Sequence, residues 1–159
     1  MCMNRTKLKL KAKQLAHKLD HQNDLVTALY SWVLFLVYEV FVRAFDLYGP
    51  IPEVDIVGHF LAGIALGATF FWIGRKNHIT WRNWFVVGGS IAMSLLWEAA
   101  EKIEDSVYPN PDYLIDIFFW DGVSDIIIAL LGTSLYLLIK HFNKAERNEE
   151  FHEITKNRR

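Results

Sequence analysis

The stretch Asp55-Ile-Val-Gly-His59-Phe-Leu-Ala-Gly63-Ile-Ala-Leu-Gly67-Ala-Thr-Phe-Phe-Trp-Ile-Gly74-Arg75-Lys76 contains fifteen consecutive residues, Phe60–Gly74, without Asp, Glu, Lys, Arg or His. It is acidic at one end and basic at the other. Three more runs share this character: Leu25–Tyr38, Asn83–Trp97 and Ile126–Ile139. Threaded through a bilayer as alternating helices, the four runs bring their acidic ends together. Glu39 follows the first, Asp55 and His59 precede the second, Glu98 and Glu101 follow the third, and Asp121 and Asp125 precede the fourth. Ionisable groups at membrane depth are costly and mark functional sites.

Composition alone fits a soluble domain or a small polytopic protein, since 52% of the 159 residues are hydrophobic. Run length and periodicity decide between them. Each uncharged run makes about 22 Å of helix, against about 30 Å of hydrocarbon. The runs are nevertheless apolar all round, as lipid-facing or wholly buried helices must be. Adding the adjoining acidic turn brings each to about 20 residues, the spanning length. The expected fold is an all-α polytopic membrane protein: a four-transmembrane-helix bundle with spans near 25–46, 55–74, 83–104 and 121–141. The acidic turns then lie within the outer membrane layer and face the bundle.

Fifteen of the seventeen Lys and Arg residues fall in three places, before Leu25, between Arg75 and Arg82, and from Lys140 onward; Arg43 and Lys102 are the exceptions. The positive-inside rule therefore places both termini and the central loop in the cytoplasm, and the protein in the inner cell membrane. A net charge of -1 conceals this polarity, because twelve of the eighteen acids lie between Glu39 and Asp125.

Residues 1–24 are expected to form a basic amphipathic juxtamembrane helix resting on anionic lipids, with Leu8, Leu15 and Leu19 on one face. Positive-inside anchoring accounts for these lysines better than nucleic-acid binding does. No cleavable signal peptide is expected, so the first helix both targets and anchors the chain. Residues 25–141 make the transmembrane domain and 142–159 a charged cytoplasmic tail. The single cysteine, Cys2, excludes an intramolecular disulfide and reads as a free, inert thiol. Gly49-Pro50-Ile51-Pro52 reads as a rigid outer turn. The aromatic stretch Tyr113–Trp120 suits a short interfacial segment across the mouth of the bundle.

Asp55 and His59 stand four apart, Glu98 and Glu101 three, and Asp121 and Asp125 four, so each pair shares a helix face. Gly63 and Gly67 continue the first stripe, Ser90 and Ser94 the second, and Ala129, Gly132 and Thr133 the third, while Leu66 and Leu138 are expected toward lipid. Five carboxylates and an imidazole in one low-dielectric pocket must be protonated, paired or metal-bound. Arg43 has Glu39 one turn away as its partner. A divalent cation ligated by Asp55, His59, Glu98, Glu101, Asp121 and Asp125 fits the remainder, as Mg, Mn or Ca, with Zn or Fe admitted through His59. Helix capping is the simpler account of Asp55 and Asp121.

The strings Asp55-Ile-Val-Gly-His59-Phe60-Leu-Ala-Gly63, Trp97-Glu98-Ala-Ala-Glu101 and Trp120-Asp121-Gly-Val-Ser-Asp125, the last running on to Leu130-Leu131-Gly132, resemble the YjdF-type bacterial inner-membrane proteins and, more distantly, the VanZ-like family. The resemblance covers about residues 55–135. The YjdF-like pattern usually carries an aromatic residue after the second Glu, where this chain has Lys102. The VanZ-like likeness implies a link to glycopeptide-antibiotic tolerance, while YjdF-like proteins carry no established activity. The resemblance thus implies the topology and the site, not a reaction.

Three functions compete. The first is a metal-assisted enzyme or binder acting on a lipid or cell-envelope precursor, with His59 or Glu98 as base. The second is a cation- or proton-coupled transporter, against which stand the uncharged inner halves of all four helices. The third is a structural or accessory protein whose acids lock the bundle. No nucleophile motif, phosphate loop or cofactor fingerprint appears.

Overall fold

A computed structural model describes residues 2–47, 51, 53–107 and 115–156, with side-chain surroundings for 20, 22–47, 51, 53–103, 107 and 122–143. The described residues form four helices: α1 (Cys2–Ala44), α2 (Glu53–Lys76), α3 (Arg82–Val107) and α4 (Ile115–Lys156). The ends of α1 and α2 use non-glycine residues in the left-handed region, Asp46 (φ 50°) and His78 (φ 55°). The chain turns out of each helix with a paired capping bond: the Leu47 N–H donates to the Val42 carbonyl at 3.0 Å, and the Ile79 N–H to the Gly74 carbonyl at 2.9 Å. Asp and His tolerate this conformation better than most side chains, and the bonds satisfy carbonyls that the helix end would strand.

Helix α2 is the hub. It packs against each of the other three, most extensively against α4, while α3 also touches α4. Because Gly63 of α2 meets Ala129 of α4 and Gly67 meets Thr133, these two helices run parallel. The remaining contacts are antiparallel: Gly74 lies on Arg82, Gly89 on Phe70, and Gly122 on Glu98. A Cβ at Gly63 would overlap the Ala129 backbone, and one at Gly132 would overlap the Phe60 carbonyl. Backbone contact this close lets Thr133 Oγ1 donate across the interface to the Gly63 carbonyl at 2.8 Å. On the other flank the Trp32 Nε1–H donates to Thr69 Oγ1 at 2.9 Å, joining α1 to α2. Ala28, Ala68, Phe71, Val86 and Tyr136, drawn from all four helices, form the buried apolar cluster.

Helix α1 leaves Leu29, Tyr30, Val33, Leu34, Leu36, Val37, Val40 and Phe41 each more than half exposed. An apolar surface of this extent marks contact with lipid or with another protein. Gln22–Ala44, Glu53–Lys76 and Gly122–Asn143 are long and apolar enough to cross a membrane. The chain is thus an all-α membrane protein with three candidate spans among the described residues, where four were expected. Helix α3 falls short because Gly88, Gly89, Ser90 and Ser94 dilute its apolar run before Glu98, Glu101 and Lys102 end it.

Three further expectations change. The basic segment and the first run belong to one continuous helix of 43 residues, so residues 2–24 do not form an element of their own. The aromatic stretch expected across the mouth becomes, from Ile115 onward, the start of α4; Tyr113 and Leu114 lie outside the described residues. Leu66, expected toward lipid, is buried, because it stands three residues from Gly63 and shares the face that packs against α4. Leu138 is 51% exposed, as its position opposite the α4 stripe implies. Gly49, Pro50 and Pro52 of the outer turn lie outside the described residues.

Candidate functional site

Each helix carries an ionisable group near either end of its uncharged run, fifteen or sixteen residues apart: Asp24 and Glu39, His59 and Arg75, Arg82 and Glu98, Asp125 and Lys140. That separation is about 22–24 Å of helix. The alternating directions of α1 to α4 gather these groups into two layers.

In the first layer His59 is the common member. Its Nε2 lies 3.5 Å from Asp55 Oδ1, one turn back on α2, and 3.6 Å from Asp125 Oδ2 on α4. Two sets of potential ligand atoms share it, Asp55–His59–Asp125 and His59–Glu98–Glu101, each gathered within 4.8 Å. Burial decreases toward the rim: Asp125 is 6% exposed and Glu98 9%, whereas the Asp55 side chain is 40% exposed. Glu98 reaches so far inward that its carboxylate rests on Gly122, where a Cβ would collide with it. The Trp97 Nε1–H donates to Glu101 Oε1 at 2.6 Å and turns that carboxylate along its own helix. Ser94, one turn below Glu98, is buried.

Five of the six expected site residues thus converge. The sixth, Asp121, lies on α4 one turn before Asp125, and its side chain falls outside the described residues. Since α4 begins at Ile115, Asp121 is in its second turn, which removes the capping account for that residue. Asp55 does sit in the first turn of α2, beside Glu53, yet its carboxylate is turned to His59. Glu39 bonds Arg43 at 3.4 Å as its spacing implies, and it also lies against Gly58 at the head of α2.

The donor set suits a divalent ion in spacing as well as in type. With bonds of about 2.1–2.4 Å, neighbouring ligands of an octahedral ion stand about 3.0–3.4 Å apart and opposed ones about 4.2–4.8 Å apart. The two Asp–His separations, 3.5 and 3.6 Å, sit just above the first range.

The second layer escaped the sequence reading. Asp24, 1% exposed, accepts from Lys140 Nζ at 2.7 Å and meets Arg75 Nη1 at 2.8 Å, so α1, α2 and α4 are tied together at this end. Asp20 Oδ2 lies 3.8 Å from the same Arg75 nitrogen. Asp24 stands among the lysines before Leu25 and looks there like one more solvated charge. Its i, i+4 relation to Asp20 was the available signal.

A family profile described as "Predicted membrane protein (DUF2238)" matches residues 12–145, most of the chain and all of both layers. No curated protein and no solved structure matches.

Proposed function

The chain belongs to the DUF2238 family of predicted membrane proteins, and on that premise we propose that it is a four-crossing inner-membrane protein holding a divalent cation at the outer end of its bundle, between Asp55, His59, Glu98, Glu101, Asp121 and Asp125. The observation that carries this reading is the sharing of His59 by two sets of ligand atoms from three helices. The YjdF-type likeness is in keeping with the family match; the VanZ-like likeness receives no support from it.

The fourth crossing rests on register. Arg82 and Glu98 of α3 stand at the same two levels as the paired groups of α1, α2 and α4, so α3 is carried through the same thickness by its neighbours despite its weaker apolar run. The fifteen-to-two division of basic residues is the reason to put both termini in the cytoplasm. In a Cys2→Ser background, a cysteine at Asn110 should be labelled from outside intact cells and one at Asn148 only after permeabilisation. The reverse pattern, Asn148 labelled from outside and Asn110 only after permeabilisation, would leave α3 outside the bilayer.

A divalent cation supplies Lewis-acid polarisation of a phosphoryl or carbonyl oxygen. His59 and Glu98, within reach of the same point, are the groups to accept a proton, and the open Asp55 side is the approach for the head of a lipid or envelope precursor. Transport is the weaker alternative: the cluster of Ala28, Ala68, Phe71, Val86 and Tyr136 lies between the two charged layers. A purely structural lock would leave the metal content at zero.

Elemental analysis of detergent-purified protein distinguishes these. About one divalent ion per chain is expected in the wild type and in Glu39→Gln. His59→Ala and Asp125→Asn should weaken retention by more than the roughly 10- to 100-fold that losing an outer hydrogen-bond partner costs a metal site. A wild type that binds no divalent ion on titration, or variants that bind it equally, would falsify the reading.

A further inference from the structure

The layer around Asp24 contains more cation and more hydrogen-bond donor than its own residues use. Phe71 lies at its centre, with the guanidinium carbon of Arg82 4.3 Å from the ring centroid, that of Arg75 at 5.4 Å, and Lys140 Nζ at 5.8 Å. Three cations from three helices therefore crowd one aromatic face, and each gains from its quadrupole. Tyr136 stacks edge-on against Phe71 at 5.8 Å, with Lys140 Nζ 5.6 Å from its own ring. Against the three cations stand two carboxylates: Asp24 engages Arg75 and Lys140, and Asp20 faces Arg75. Among the described residues, Arg82 has no carboxylate within ion-pair distance, and its Nε–H has no acceptor.

The second observation is independent of charge. Tyr136 is 4% exposed, and its hydroxyl has no hydrogen-bond partner among the described residues. A buried hydroxyl left unsatisfied costs about 1–3 kcal/mol and calls for a reason. Tyr136, Arg82, Arg75 and Asp24 also share one electrostatic neighbourhood. An open cleft of about 400 Å³ at the first turn of α3 is lined by residues 79–84, Arg82 among them. Trp81 and Trp84 are 63% and 76% exposed, as indole rings at a membrane interface are. Arg82 links the two features, since it lines this cleft and also stands over Phe71 in the cation cluster.

We propose that this end of the bundle binds a phosphate group, held by Arg82 and the Tyr136 hydroxyl and drawn in by Arg75 and Lys140. A phosphate oxygen accepts from a guanidinium fork and from a phenol at once, which a chloride or a water does not do with the same geometry. Basic pockets between transmembrane helices take anionic lipid headgroups in this way. The same chemistry is met by the phosphodiester of an acidic phospholipid or by a soluble phosphate compound. Asp24 competes with the ligand for Arg75 and Lys140, so it sets the affinity rather than supplying it. The site does not depend on the metal reading at the opposite end.

The test uses the full chain in nanodiscs, with thermal unfolding as the readout and indole fluorescence, compared with that of a Trp81→Phe, Trp84→Phe variant, as a second. In discs of phosphatidylcholine alone, inorganic phosphate is titrated; in parallel, phosphatidylglycerol is raised from none to about a quarter of the lipid. Saturable stabilisation by phosphatidylglycerol but not phosphate identifies a headgroup site, and the reverse a soluble ligand. Arg82→Gln should weaken the response at least about tenfold, and Tyr136→Phe, which keeps the ring packing, several-fold. Asp24→Asn should bind more tightly than wild type, an effect that a merely structural ion pair would not give. No saturable response to either probe in the wild type, or equal responses in Arg82→Gln and Tyr136→Phe, overturns the proposal.

Discussion

Gly63→Ala should unfold at a markedly lower temperature in detergent than the wild type, and Gly63→Leu should yield little folded protein. One added methyl is enough because the new Cβ meets backbone, not a flexible side chain: the Ala129 carbonyl already occupies its place. Either α2 and α4 move apart or the Thr133 hydrogen bond to the Gly63 carbonyl breaks, and the Asp125–His59 approach one turn away goes with it. Forcing a side chain into a packed contact typically costs about 1–3 kcal/mol, and more where backbone must yield. Gly132→Leu should behave alike against the Phe60 carbonyl. Two controls fix the interpretation. Gly88→Ala has nothing within 4 Å of the new methyl, and Leu138→Phe adds bulk to an exposed side chain; both should melt close to the wild type. Equal melting of Gly63→Ala and Gly88→Ala would mean that α2 and α4 do not cross at this point.

The second large effect is expected from Asp24→Ala. The substitution removes the carboxylate that both Arg75 and Lys140 approach within 3 Å and leaves three cations around Phe71. Removing one partner of a buried ion pair costs about 3–5 kcal/mol, because the surviving charge keeps its desolvation penalty. The Arg75 and Lys140 side chains are about a fifth exposed, so the lower end, about 3 kcal/mol, is the expected loss of stability in detergent unfolding. Adding Lys140→Met to Asp24→Ala should recover part of it by removing one uncompensated charge. A loss below about 0.5 kcal/mol would reduce the layer around Asp24 to a surface ion pair.

How much of this was legible before any coordinates follows from where each signal lies in the chain. The layer around His59 was readable because each helix states its own pair: Asp55 with His59, Glu98 with Glu101. A helix fixes the direction of residues three or four apart, and alternating helix directions then decide which pairs meet. The layer around Asp24 was not readable by that route. Asp24, Arg75, Arg82 and Lys140 are single residues on separate helices, each sitting beside other charges that belong to the membrane surface. Their meeting depends on rotations about helix axes that no local pattern specifies. The burial of Leu66 was legible by the same three-or-four-residue rule: it stands three residues from Gly63 and so shares the face that packs against α4. The start of α4 at Ile115 was masked by a change of composition that looked like an interfacial segment while the backbone was already helical.

The parallel pairing of α2 with α4 also bears on how the protein is made. Gly63 and Thr133 are 70 residues apart, which at about 5–20 residues per second is roughly 4–14 s of translation. During that interval α2 stands at the translocon with its glycine groove empty and the Asp125 partner of His59 not yet synthesised. Helix α3, with its weak apolar run, emerges in the meantime and has only α1 and α2 to hold it. Ribosome pausing or a chaperone acting between Lys76 and Ile115 would therefore set the yield of assembled protein more than the final stability does, and a slowed codon in α3 should matter more than the same change in α1.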